Sequence, residues 1–139
     1  MRAPIDPPVP PPPSARDEVE VLSRLVNQYR REVGCKPLTW VGPVAVVAQQ
    51  HSEDMFNYNF FSHVNHLGKT PFDRLQSAGI RYRLAAENIA SGQQTAEQVL
   101  QSWLNSRGHR RNIENCELTQ HGIGLSNHRW THVLVTLVR

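Results

Sequence analysis

The sequence predicts an α+β domain in which helices pack on a small antiparallel sheet. Three observations carry this expectation. Through the first hundred residues apolar side chains recur at helical spacing. After Gly122 the pattern changes to short apolar runs, with Val133, Val135 and Leu137 alternating with other residues. The chain has 139 residues, 39% hydrophobic and 19% charged, which suits one soluble domain with its own core.

Residues 1–16 hold seven of the ten prolines, four of them consecutive at Pro10–Pro13. Proline fixes φ and lacks an N–H, so this stretch is expected to be an extended tether ahead of a domain at 17–139. Residues 17–33 are the first predicted helix, with Asp17 as a cap and Glu20 three residues on. Val19, Leu22, Leu25, Val26, Tyr29 and Val33 form its apolar stripe, and Gly34 stops it. Pro37-Leu38-Thr39-Trp40 reads as an extended link that drops Leu38 and Trp40 into the core. The second helix spans 43–58, with Pro43 in its first turn. Val44, Val47, Ala48, His51, Met55 and Tyr58 share one face, so His51 is expected to be half-buried on a backbone or carboxylate partner.

A loop follows at 60–69, anchored by Phe60 and Phe61 and carrying His63 and His66. Thr70-Pro71-Phe72-Asp73 has the cap, proline and first-turn acid of a helix start; that helix runs to about Ala78 and ends at Gly79. Ile80 to Arg83 alternate weakly. Thr95-Ala96-Glu97-Gln98 reads as a capping box before a helix that buries Val99, Leu100, Trp103 and Leu104. Asn105 to Gly108 break that helix, and His109 opens a short turn to Ile113. Two strands close the chain, one around Gly122–Leu125 and one from Trp130 to Val138, joined by a turn at Ser126-Asn127-His128. The glycines at 122 and 124 imply close backbone approach. Apolar residues on both phases of the last strand imply that it is covered on both faces.

Composition excludes several classes of function. The net charge is only +3, and the basic pairs Arg30–Arg31 and Arg110–Arg111 have no aromatic residues between them. They read as solvated surface, and nucleic-acid binding is not expected. No run of about 18 apolar residues exists, so no membrane-spanning helix is expected. Met1-Arg2-Ala3-Pro4 lacks an apolar leader, which fits either a cytosolic protein or a mature form with an added Met. Cys35 and Cys116 belong to no C-x-x-C motif. They could be two buried thiols or one disulfide. The nucleophile-elbow, P-loop and H-E-x-x-H motifs are absent. Ser62 and Ser106 lie near histidines without any sign of an oxyanion hole, so serine hydrolysis is not expected.

What remains is a trio of chemistry-bearing residues at or near element ends: His63, Glu87 and His109. Glu87 lies in the apolar run Ala85–Ser91, and a buried acid requires a donor, whether histidine, metal or backbone N–H. Two imidazoles and a carboxylate converging on one cleft suit zinc or another divalent ion. Without metal, the same trio would be a hydrogen-bonded cluster that holds three loops together.

Taken together, the motifs resemble a family. They are L-V-N-Q-Y-R-R at 25–31, P-L-T-W at 37–40, H-S-E-D-M at 51–55, F-F-S-H at 60–63, P-F-D-R at 71–74, A-E-N-I-A at 86–90, W-L-N-S-R-G-H-R-R-N-I at 103–113 and G-I-G at 122–124. From about Leu22 to Val138 the chain is similar to bacterial CAP domains, the superfamily of cysteine-rich secretory proteins, antigen 5 and pathogenesis-related proteins. The resemblance implies an α-β-α sandwich and, by likeness to secreted members, a Cys35–Cys116 disulfide in a secreted or cell-envelope protein. It also implies a central cleft that can bind a divalent ion through two histidines and two acids. Carried over residue by residue, His63 matches the first histidine and Glu87 an acid. The second acid's place is Ser106, and the second histidine's region reads His128-Arg129-Trp130, so a metal such as zinc is expected to be held weakly or not at all. His109, a feature of the bacterial branch, fills part of the gap.

The expected function is a binding module using this cleft for a divalent ion and a lipid, sterol, peptide or wall ligand. Two alternatives stand beside it. One is a metal-assisted hydrolase with Glu87 as general base. The other is a structural domain docked on an envelope protein through its proline-rich N-terminus.

Overall fold

The computed structural model describes residues 15–139; residues 1–14 of the tether expected at 1–16 lie outside them. The elements run α1 Ala15–Glu32, β1 Thr39–Trp40, α2 Gly42–Asn57, α3 Pro71–Ser77, β2 Tyr82–Ser91, α4 Ala96–Leu104, α5 Arg107–Ile113, β3 Gln120–Ser126 and β4 Arg129–Leu137. The strands form one sheet in the order β1-β3-β4-β2. β2, β4 and β3 are antiparallel, and the two-residue β1 adds a parallel edge to β3.

The alternation of β4 decides the layers. One set of its residues, Trp130 and Leu134, packs with Leu22 and Val26 of α1, Val99 and Trp103 of α4 and Ile113 of α5. The other set, Val133 and Val135, packs with Val44, Val47 and Ala48 of α2 and Leu75 of α3. The result is an α-β-α sandwich with β4 buried along nearly its whole length, as its apolar residues on both phases imply. α2 lies unusually close to β3. A Cβ on Gly122 would stand 2.2 Å from the backbone N of Ala45, and one on Gly124 would stand 2.4 Å from Gln49 Cα. No side chain fits there, which is the close approach that the two glycines announce. β3 and β4 are joined by the two-residue turn Asn127–His128, both at positive φ (46° and 63°), as a type I′ hairpin requires.

Several local expectations change in the folded chain. α1 begins at Ala15, inside the expected tether, so Asp17 sits in its first turn rather than at its cap. Arg30 is not a solvated cation but is 1% exposed. Its guanidinium donates to the carbonyls of Lys36, Ile113, Asn115 and Leu118, so it organises the turn after α5. Trp40 stays 43% exposed and Tyr58 58% exposed. Tyr58 falls at the C-cap of α2, past the end of its buried face. Ala85–Ser91 belongs to β2, a ten-residue strand, and His109 lies within a helix rather than at the start of a turn. Only half of the Thr95 capping box forms. Thr95 accepts from Gln98 N, while the Gln98 side chain bonds Gln94 N instead of the cap. The Thr70–Asp73 box is complete. Cys35 and Cys116 form a disulfide.

Candidate functional site around Glu87

β2 is the free edge of the sheet away from β1, and its alternation sends neighbouring residues to opposite sides. Glu87 pairs with Val133 and faces the α2/α3 layer; Asn88 pairs with His132 and faces the α4/α5 layer. The edge therefore anchors groups from both layers at one place.

On Glu87's side, α3 supplies a residue that the sequence reading did not single out. Arg74 Nη1 donates to Glu87 Oε2 (2.8 Å) and Nη2 to Oε1 (3.0 Å), a bidentate pair. Nη2 also donates to the carbonyl of His63 at 2.8 Å and so fixes the loop that carries it. His63 Nδ1 lies 2.8 Å from Glu87 Oε1 and donates to it. The Glu87 side chain is 1% exposed, whereas that of His63 is 48% exposed. Burial alone would push the Glu87 carboxyl up. The bonds from His63 and Arg74 and the guanidinium charge outweigh burial and hold it below its ordinary range. A signal for Arg74 existed in the sequence: a buried acid needs a cation, and the Thr70 cap sets an arginine one turn into a short helix beside the buried Leu75.

On the other side, Asn88 Nδ2 donates to the carbonyl of His109 (3.0 Å), and Asn112 Nδ2 donates to Asn88 Oδ1 (2.8 Å). These bonds fasten α5 to the strand edge and place His109 within electrostatic reach of His63. Burial first, and the electrostatic influence of nearby His63 second, lower the pKa of His109. His51 lies fully buried behind the cluster with Nε2 donating to the carbonyl of Ser62 (2.8 Å), the backbone partner expected of it. Burial lowers its pKa, partly opposed by the Glu87 charge. Among the described residues, His51 Nδ1, Arg74 Nε and His109 Nδ1 are buried without hydrogen-bond partners. The cluster borders a cavity of about 330 Å³ lined by Val46, Val47, Asn65, Leu67, Lys69 and Arg74 among others.

The other candidates fall elsewhere. His66 stacks on Tyr58 with ring centroids 3.8 Å apart. Ser106 is the N-cap of α5 and its side chain makes no capping bond. His128 is exposed in the β3–β4 turn. It lies five register positions beyond Glu87, about 17 Å along the strand.

The fit to a divalent ion follows from the donor set. Both Glu87 oxygens are committed, and the guanidinium beside them repels a dication. Among the described residues no group of three or more His, Cys, Asp or Glu side chains is placed to hold a metal ion. As arranged, Glu87 anchors His63 through Nδ1 and does not fit a ligand's role.

The family model described as "Cysteine-rich secretory protein family" (CAP) matches residues 23–137. The uncharacterized protein YkwD of Bacillus subtilis is 41% identical over 113 residues, 80% of this chain and 44% of that protein. The uncharacterized membrane protein YlbC of the same organism is 37% identical over 114 residues, 82% of this chain and 33% of that protein. The chain thus spans less than half the length of either relative. Among solved structures, an extracellular SCP-domain protein from Bacillus anthracis superposes with a TM-score of 0.85 at 34% identity, covering 88% of this chain and 41% of that one. An outer surface protein from Borrelia burgdorferi shares the fold at 18% identity, with a TM-score of 0.83 over 90% of this chain and 96% of that one. Among the described residues no helix is long and apolar enough to cross a membrane.

Proposed function

The chain belongs to the cysteine-rich secretory protein (CAP) family, and from that premise we propose that it is a secreted or envelope-exposed binding domain whose ligand site centres on His63 and His109. One observation carries this reading. His63 is half-exposed, yet its Nδ1 is tied to a buried carboxylate that a buried arginine also grips. A surface imidazole held this way keeps a set orientation at little entropic cost. The surrounding loop exposes Phe61, Val64 and Leu67, at 56%, 45% and 68%. An amphipathic ligand, a lipid or an apolar peptide, would find a polar anchor and an apolar rim together. The disulfide supports an oxidising compartment, as do relatives described as extracellular or as an outer surface protein.

The hydrolase alternative is less favoured, because a carboxylate gripped by arginine and held below its ordinary pKa is a poor general base. The docked-tether alternative concerns residues outside those described.

The test is a pair of calorimetric titrations at pH 7.5 on the full chain, one with zinc and one with a dansylated fatty acid in the presence of chelator. Fatty-acid binding that is lost in Leu67→Ser and His63→Ala supports the binding-domain reading. Zinc binding at micromolar affinity, lost in His63→Ala/His109→Ala, would replace it with a metal centre. Failure of both ligands to bind would sink the amphipathic-ligand assignment.

A further inference from the structure

On the α1 side of the sheet a second polar line runs from the surface into the core. Ser23 Oγ on α1 lies 3.1 Å from His121 Nε2 on β3, and His121 Nδ1 lies 3.0 Å from His132 Nε2 on β4. Both imidazoles are fully buried. Trp103 stacks on His132, and Trp40 meets His121 edge to face. Ser23 is only partly buried. It opens into a groove of about 470 Å³ lined by Arg16, Val19, Glu20, Ser23, Arg24 and Trp40.

A serine followed by two imidazoles has the order of a nucleophile with its base and the base's orienting group. The direction of the protons argues against that role. His132 Nδ1 is buried with no partner among the described residues. A stranded N–H there would be the rarer and costlier arrangement, so Nδ1 is the bare lone pair. His132 then carries its proton on Nε2 and donates to His121 Nδ1. His121 in turn donates from Nε2 to Ser23 Oγ. Burial holds His121 down at about 4, so it stays neutral at pH 7 and this direction persists. Ser23 therefore accepts from the core, and its own hydrogen is left for the groove. Ser23 also sits inside α1, where backbone N–H groups are consumed by helical bonds and none is free to stabilise an oxyanion.

We propose that this groove binds an acidic saccharide. The exposed Trp40 indole offers an apolar face for a sugar ring. Ser23 and Glu20 offer a fixed donor and an acceptor for hydroxyls, and Arg16 and Arg24 offer guanidinium groups for a carboxylate. A free inorganic anion would have no use for the indole or for Glu20. The cavity volume lies in the range of small-ligand sites.

The test follows the Trp40 indole N–H signal by NMR while the full chain is titrated with tri-galacturonic acid. Trp40 is assigned with Trp40→Phe, and the controls are maltotriose and inorganic phosphate. The expected result is a saturable shift of the Trp40 signal with the acidic trimer alone. Binding, followed in the variants by titration calorimetry, should weaken about tenfold or more in Arg24→Gln and in Trp40→Ala, both at the exposed rim of the groove. An unmoved Trp40 signal would overturn the proposal. So would an equal response to phosphate, or binding indifferent to both substitutions. Covalent labelling of Ser23 by phenylmethylsulfonyl fluoride would overturn the proton direction and with it the binding role.

Discussion

Arg74→Met isolates the bond on which the His63 site depends. The substitution keeps most of the side-chain volume and removes the guanidinium, leaving Glu87 with the His63 hydrogen bond as its remaining side-chain partner. The Glu87 side chain is 1% exposed and that of Arg74 7% exposed. Removing one member of so buried a pair costs about 3–5 kcal/mol, because the other charge is left nearly uncompensated. His63 still donates a hydrogen bond to Glu87, so the lower end of that range is expected at pH 7, about 3 kcal/mol. The pH dependence gives a second check. In the native protein Glu87 is held below its ordinary value, so its contribution is present above the unfolded carboxyl pKa and is lost as pH falls through the folded one. In Arg74→Met the Glu87 pKa rises, and the deficit relative to wild type should shrink towards pH 4. The double variant Arg74→Met/Glu87→Leu replaces the pair with apolar groups and should recover most of the lost stability. Urea unfolding at pH 7 and pH 4 measures all three. A single-variant loss below about 1 kcal/mol, or a double variant no better than the single, would refute a buried, mutually dependent pair.

Gly124→Ala drives a Cβ to 2.4 Å from Gln49 Cα, so it should cost at least the 1–3 kcal/mol typical of overpacking, roughly, or abolish folding; Gly108→Ala, with open space around it, is the control in a thermal melt. Burial depresses the pKa of His121 to about 4, and His132 is lowered in the same direction. The unfolded chain therefore takes up protons that the native one refuses as pH falls below about 6.5. Stability should be flat above that and should drop by about 3 kcal/mol on account of His121 alone by pH 4; His121→Gln should flatten the denaturant-midpoint profile between pH 6.5 and 4. Reducing Cys35–Cys116, 81 residues apart in sequence, should cost about 4–5 kcal/mol in the chain-entropy model, read from urea midpoints with and without reductant. An unchanged midpoint would mean that the turn beside Arg30 is held by its carbonyl bonds without the bridge.

Periodicity and local chemistry were enough to read α1 to α4, though not the short α5, because burial of one stripe leaves a pattern that short-range sequence records. Leu22 and Val26, the Thr70 cap, Gly79 and the paired glycines of β3 each act through neighbours a few residues away or through a missing side chain. The same local logic brought His63, Glu87 and His109 forward, since buried acids and element-end histidines are unusual against an apolar background. The motifs of the family added the sandwich and the disulfide.

Partners distant in sequence were decided by the tertiary structure alone. Arg30 looked like surface charge beside Arg31, yet its four carbonyl acceptors come from residues 36, 113, 115 and 118. Arg74 was not singled out in the sequence beyond its place in P-F-D-R, yet it donates to both Glu87 oxygens. The Ser23–His121–His132 line joins three elements spread over 109 residues from first to last. The physical reason is common to all three. A charge or a hydrogen bond is satisfied by whatever the sheet register and helix packing bring within 3 Å, and neither register nor packing is written in the spacing of any one segment.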